Sequence, residues 1–585
     1  MKKIKLMIII FFCVFSFILS CNAKITLQEC EYTDEYKKYA ESSKKEKEQY
    51  TIIPQMCKGL SYNVSSFAKA GTDSVSLPSS FDLRDVNGNN YVTNVKDQGT
   101  TETCWAFATN ASIESNLLVN NLGEYDLSEA HMELSTQSTY KMWGSKFVRG
   151  FNSGGNFLVS SSYLLNGKGP VLEESYPFSV ITDILNPTPD VSIASNTDLK
   201  QVLSVDNIYM IFNNTNKSCS EDIKNKIKSL IYNKGAVVAN IYWQSSNSSN
   251  QYYYNQNNND VNHEVTIVGW DDDVESSNFS NNPPGNGAWI VKNSGGESKG
   301  NNGYFYVSYY DNNICSNLAQ FEVKDKKISD NTYYYDELGF NYIIKHEISE
   351  NSKNNKYYIA RRFKKKNNTN EKLDKITLFN YSIGQDYKIY IGDGSLNIIR
   401  EVSNGTFSDS GYISFEPKNI TISNSDEYFS VIVEYKNFES GNYVPVSIKT
   451  TDENDMFSGN IIKSDVDYIS DDGENWGDLV YLPAKNEEVK SANLTIRAYT
   501  SNVSAGSSGE NSNNGSTNNN GINDTEEIEL IENPNNEKSY IGSSSSIEKN
   551  PKTMDLKINF LITVIILLLA TIGLGYYKLI KLNNK

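Results

Sequence analysis

The sequence predicts an α+β domain with a cleft between a helical half and a strand-rich half, followed by an all-β sandwich. Apolar residues recur at helical spacing at Ala106, Phe107, Ala111, Ile113, Leu117 and Leu118, with further helical stretches after Ser128 and over 156–165. Strand-like runs then gather at 236–243, 265–270, 287–292 and 303–309. Helices first and strands second within one domain point to segregated layers. From 330 to 500 short strand-like runs are separated by turn clusters, the pattern of a sandwich. At 585 residues the chain is long enough for more than one domain. Its net charge of −17 argues against nucleic acid as a partner, which needs a basic face.

Taken in order, residues 1–23 read as a secretory signal: Lys2, Lys3 and Lys5, an apolar run from Leu6 to Leu19, then Ser20-Cys21-Asn22-Ala23. Cleavage after Ala23 is favoured, although Ile18-Leu19-Ser20-Cys21 also resembles a lipoprotein box. Residues 24–77 are charged and polar, too poor in apolar residues to bury much core, and read as a propeptide or spacer. The first large domain spans 78–322. A short strand is expected at 91–95, Ser128 is a fair N-cap for a second helix, and a helix is expected over 220–233 inside the polar stretch 180–235. The second domain spans 330–500, with strands expected at 375–379, 387–391, 428–435, 443–448 and 493–499. Residues 501–549 are a low-complexity, flexible linker. The remaining segment, 550–585, holds Pro551-Lys552-Thr553-Met554, an uncharged run from Phe560 to Tyr577, and Lys578 and Lys581. That run is long enough to span a membrane with its basic end inside. The segment resembles a Gram-positive cell-wall sorting signal, with Met554 where the pattern has Gly. Membrane retention is the fallback, and either reading puts the protein outside the cell.

The chemistry begins at Gln98-Gly99-Thr100-Thr101-Glu102-Thr103-Cys104-Trp105-Ala106-Phe107. A cysteine at a helix N-terminus meets a partial positive charge that favours the nucleophilic thiolate. Gln98 can offer an amide N–H to a developing oxyanion. A cysteine nucleophile needs a base, and the chain has three histidines. His131 falls inside the second helix and suits a core or surface role, and His346 belongs to the β-domain. His263 opens the strand-like run 265–270, at a domain edge. Asn293 ends the run before Ser294-Gly295-Gly296, where its amide oxygen can orient the imidazole. Beyond the N-terminal 77 residues, only Cys104, Cys219 and Cys315 remain, so the chain is no disulfide scaffold. A Cys219–Cys315 pair is open.

Gln98-Gly99, Cys104-Trp105-Ala106-Phe107, Leu127-Ser128-Glu129, Gly154-Gly155, Glu174-Ser175-Tyr176-Pro177, His263, Val268-Gly269-Trp270 and Trp289-Ile290-Val291-Lys292-Asn293-Ser294 together resemble the papain family of cysteine peptidases, in order. The resemblance implies a papain-like two-lobed fold. It assigns Cys104 as nucleophile, His263 as general base and then acid, Asn293 as its orienter, and Gln98 with the Cys104 N–H as oxyanion hole. No cofactor and no metal are called for, and the partners are protein or peptide substrates. Four positions depart from the family. Thr101 and Asn152 stand where it usually has a disulfide pair. Glu264 replaces a small residue, and Gly295 replaces a Trp that shields the His–Asn hydrogen bond.

The second domain resembles the lectin-like domain of clostridial surface peptidases, on Arg361-Arg362-Phe363 and Asp471-Asp472-Gly473-Glu474-Asn475-Trp476. That implies cell-wall polymer or glycan as a further partner. Asp465, Asp467, Asp471, Asp472, Glu474 and Asp478 are of the type that holds calcium but match no EF-hand loop, and a solvated acidic turn is the preferred reading. The expected protein is thus a secreted, surface-anchored cysteine endopeptidase. The rival is an inactive peptidase scaffold acting as an adhesin through the β-domain, against which the intact set of four site residues argues. A transpeptidase would use the same thiol chemistry.

Overall fold

The helix Cys104–Val119 is the axis of the first domain. Fourteen of its sixteen residues are buried, all round the helix rather than on one face, as expected of a core helix. Its small and polar residues let neighbours approach and give them hydrogen bonds: Ser112 Oγ donates to Ala236 O (2.6 Å), Asn116 Nδ2 to Lys234 O (2.7 Å) and Asn110 Nδ2 to Leu127 O (3.1 Å). The computed structural model describes residues 27–57, 77–139, 145–184, 199–213, 219–245, 248–346, 356–436, 443–450, 453–481 and 489–503. The expected signal, the linker beyond 503, Met554 and the expected C-terminal span lie outside them. Among the described residues no helix is long and apolar enough to cross a membrane.

On the helical side, Glu129–Ser135 is capped by the Ser128 side chain on His131 N, and Phe157–Leu165 by Asn156 on Leu158 N and Val159 N. The opposing side is an antiparallel sheet in the order Asn207–Phe212, Asn317–Glu322, Val237–Ile241, His263–Asp271, Ala288–Lys292, Tyr304–Ser308. Glu221–Lys234 is helical, and Cys219 is disulfide-bonded to Cys315.

Three features differ from expectation. No strand forms at 91–95. Side chains take its backbone instead: Asn90 Oδ1 accepts from Val92 N, and Lys292 Nζ donates to Thr93 O. The strand Asn207–Phe212 lies inside the stretch read as polar with a single helix, and it joins the two domains. It pairs on one side with Asn317–Glu322 and on the other with Gly411–Phe415 (Tyr209 opposite Gly411), so the sheet continues through Glu371–Asn380 and Ile496–Asn502 to Asn331–Tyr333. Gly411 sits at φ +111°, and a Cβ there would meet Ile208 O at 1.9 Å, so glycine alone permits this junction. A six-stranded sheet, from Ile398–Thr406 to Gly477–Asp478, and a four-stranded one, Leu27–Glu29, Tyr342–His346, Tyr443–Thr450 and Val489–Leu494, complete the β-rich part.

The third difference is the N-terminal segment, expected to bury little. Residues 27–57 form no core of their own but dock on the core of others. Tyr36, Tyr39, Ile53, Met56 and Cys57 share one apolar cluster with Trp105 of the first domain and Tyr342, Val444 and Met456 of the second. Leu27–Glu29 adds a strand to Tyr342–His346, and Tyr36 OH donates to the buried Asp455 carboxylate (2.8 Å). A Cys30–Cys57 disulfide closes the segment.

Candidate active site

Thr103 makes no side-chain cap on the helix Cys104–Val119, so the first N–H groups at Cys104 stay uncommitted to a cap. Cys104 is fully buried and is the one free cysteine among the described residues. Burial pushes its thiol pKa up; main-chain N–H groups of Glu264 and Trp105 pull the other way, and a charge on Glu264 or Glu102 would add to the rise.

His263 begins the central strand of the opposing sheet. Its Nε2 lies 2.8 Å from Asn293 Oδ1, which also accepts from Ser294 N (2.8 Å). An amide oxygen only accepts, so Nε2 carries the proton and Nδ1 keeps its lone pair. Burial lowers the imidazole pKa and the Asn293 bond raises it, with burial prevailing. Gln98 is braced from the same loop as Asn293: Ser294 Oγ donates to Gln98 Oε1 (2.6 Å), and Gln98 N donates to Ser294 O (2.8 Å). The Gln98 amide nitrogen donates to Thr101 O (2.6 Å) with one of its two hydrogens. Cys104 and Gln98 thus come from the helical side and His263 and Asn293 from the sheet.

His131 is elsewhere. It is buried, with Nδ1 2.7 Å from Tyr163 OH, and burial pushes its pKa down to about 3. The Leu127-Ser128-Glu129 and Lys292 positions belong to a charged cluster under the site. Lys96 Nζ reaches Glu114 (3.3 Å), Asp126 (2.6 Å) and Glu129 (2.9 Å). Burial raises Glu129 to about 7, opposed by Lys96, and lowers Lys292 to about 8.

Each departure from the family has a structural counterpart. Asn152 Oδ1 accepts from Glu102 N (2.8 Å), so a hydrogen bond ties together the two loops that a disulfide would join. Gly295 leaves no ring beside Asn293, but Trp243 stands 6.0 Å from the His263 ring, stacked on Tyr253 (4.6 Å) and edge-on to Phe305 (4.8 Å). Sequence reasoning missed this ring: the apolar run 236–243 ended on it, but nothing local showed where it packs. Glu264 turns away from His263 and bonds Phe157 N at 3.1 Å.

The Gly154-Gly155 pair also has a physical cause. Gly155 N donates to Thr51 O and Gly155 O accepts from Ile53 N, a parallel bridge centred on Ile52, and Asn156 Nδ2 donates to Ile53 O. A Cβ on Gly154 would stand 2.2 Å from the Tyr50 and Thr51 carbonyls, and one on Gly155 2.5 Å from the Trp105 ring. In the second domain, Arg361 is buried between Asp336 (2.6 Å) and Asp467 (2.7 Å), and Asp336 also pairs with Arg497 (2.7 Å). Asp472 caps the turn at Glu474 N and Asn475 N, and Asp478 accepts from Asp465 N. The motif residues of this domain therefore hold its interior and turns.

Residues 77–324 match the family described as papain family cysteine protease, and residues 332–500 the lectin like domain. Procathepsin L of Felis catus is 33% identical over 137 residues, 23% of this chain. The matched part is 38% of that relative's length. The cysteine protease and lectin-like domains of Cwp84, a surface layer associated protein of Clostridium difficile, superpose with a TM-score of 0.64 at 23% identity, covering 82% of this chain and 98% of that one. A second Cwp84 structure, after propeptide cleavage, gives 0.59 at 23% identity, covering 73% and 100%. At that identity the likeness establishes the fold.

Proposed function

The chain carries a papain-family cysteine protease domain followed by a lectin-like domain, and from that premise we propose a secreted, surface-anchored cysteine endopeptidase, made latent and acting on surface or host proteins. The observation that carries the reading is the Nε2–Asn293 bond, which leaves Nδ1 of His263 as the base for Cys104. Nδ1 takes the thiol proton as sulfur attacks the scissile carbonyl. The oxyanion is held by the Cys104 N–H and the remaining amide hydrogen of Gln98. Collapse expels the amine, which receives the proton from His263, and leaves a thioester. Water, deprotonated by His263, hydrolyses it and restores the thiol. Asn293 holds the proton-bearing edge of the ring throughout.

Latency is supported by the segment Thr51–Ile53 on the Gly154–Asn156 backbone, and by a buried thiol beside a half-buried imidazole whose shifts favour neutral thiol and neutral imidazole. Cleavage between 57 and 78 would free the cleft and hydrate the pair. We assign the lectin-like domain to cell-wall polymer or glycan, and the run Phe560–Tyr577 to the membrane. The surface location is supported by the description of Cwp84 as surface layer associated.

The test is to incubate the full chain, before and after limited proteolysis of the prosegment, with a thiol-directed epoxide and a protein substrate, beside Cys104→Ala. Labelling and cleavage by the processed chain are expected, with Cys104→Ala lowering turnover by at least about 10⁴-fold. Equal behaviour of the two proteins would end the enzyme reading.

A further inference from the structure

Glu264 follows His263 in the same strand and faces the helical side. Its side chain is fully buried. Oε1 accepts the N–H of Phe157, first residue of the helix Phe157–Leu165, at 3.1 Å, and Oε2 has no hydrogen-bond partner. Its main-chain N–H lies near enough to the Cys104 thiol to oppose the rise that burial gives the thiol pKa. One residue therefore adjoins the histidine in sequence, sets its main-chain N–H near the nucleophile, and reaches across to the helix behind the Gly154–Asn156 wall. Other bonds that cross between the two sides near the dyad run from Thr266 Oγ1 to Ala108 O (3.3 Å), and between Ser294 and Gln98 through both Ser294 Oγ to Gln98 Oε1 and Gln98 N to Ser294 O.

We propose that Glu264 is a positioning residue which, uncharged, splices the His263 strand onto the helical side and sets the working separation of Cys104 and His263; this rests on the peptidase reading. A buried carboxylate without a counter-charge is costly. The small cavity it lines is also faced by Phe107, Ala108, Lys96, Glu114, Glu129 and Lys292. Both lysines are engaged elsewhere, Lys96 by three carboxylates and Lys292 by Thr93. Burial raises the Glu264 pKa well above the usual range, against the Phe157 N–H. A charge here would also oppose the thiolate, since a carboxylate at Glu264 raises the Cys104 pKa, as does Glu102. The neutral acid is therefore the form compatible with an active dyad, and its ionisation contributes to the alkaline limit of activity.

The test compares Glu264→Gln with Glu264→Ala in the processed full chain, reading kcat and KM against pH, melting temperature, and the rate of iodoacetamide alkylation at Cys104. Gln keeps the acceptor for Phe157 N and cannot ionise. It should hold kcat within about twofold and extend the alkaline limb of the profile. Ala should lower kcat about tenfold or more, leave KM within about twofold, and slow alkylation. The proposal is overturned if Ala leaves kcat and alkylation unchanged, if Gln fails as Ala does while melting normally, or if KM moves instead of kcat, which would make Glu264 a substrate contact. A wild-type chain that is alkylated but hydrolyses nothing would sink the peptidase reading alone, and alkylation would still decide Glu264.

Discussion

The seam between the two sides of the peptidase domain and the interior of the lectin-like domain both bury titratable groups, and they treat them in opposite ways. In the second domain Arg361, Asp336, Arg497 and Asp467 are joined in shared ion pairs, each arginine held by a carboxylate. At the seam, Cys104, His263 and Glu264 are shifted toward their neutral forms, with few bonds each. Paired buried charges fix a structure, because removing one strands the other. Groups kept neutral by burial alone are one proton from a different state, which acid–base chemistry requires.

The contrast is sharpened first at Asp336. Asp336→Ala leaves Arg361 with a single carboxylate and Arg497 with none, and should cost about 3–5 kcal/mol, read as a large fall in melting temperature. A near-normal melt would show that the network does not hold the domain. Asn293→Ala should do the reverse, lowering kcat on the order of 10²-fold through a freed imidazole with little change in melting; a fall in stability without loss of kcat would erase the distinction.

A buried neutral group outside the seam gives a pH signature. The folded pKa of His131 is about 3 against 6.5 in a free side chain, so the unfolded chain takes up the proton first. Its contribution is intact above pH 6.5 and is lost as pH falls towards 3. His131→Gln, which can still bond Tyr163, should flatten that part of the melting-temperature profile, and an unaltered slope would contradict the assignment. The smallest effect is expected at Trp243→Ala: roughly threefold to tenfold lower kcat at similar KM, from exposure of the His263 ring. A change in KM alone would place the ring in substrate binding instead.

What was legible in the sequence was local. The cap at Ser128, the histidine strand, and the order of Gln98, Cys104, His263 and Asn293 could be read because spacing and residue type carry that information. What was not legible depended on partners far along the chain. The run Asn207–Phe212 is apolar, but only pairing with Gly411–Phe415, some two hundred residues away, makes it a bridge between domains. Residues 27–57 lack a core of their own, and composition cannot say that a sequence will borrow one. Trp243 packs beside His263 from the segment just after the strand Val237–Ile241, and nothing near Gly295 announces it. At 91–95 the expected strand was outweighed by side chains from Asn90 and Lys292 claiming the backbone.

The shared sheet also fixes a reach. With Asn207–Phe212 hydrogen-bonded into both halves, there is no free swivel between cleft and lectin-like domain. A ligand of the second domain, as proposed above, would be held at a constant bearing and distance from Cys104. Under the proposed function, a target bond would then be selected by its height above the gripped layer as well as by the residues around it, and the molecule would measure as it cut.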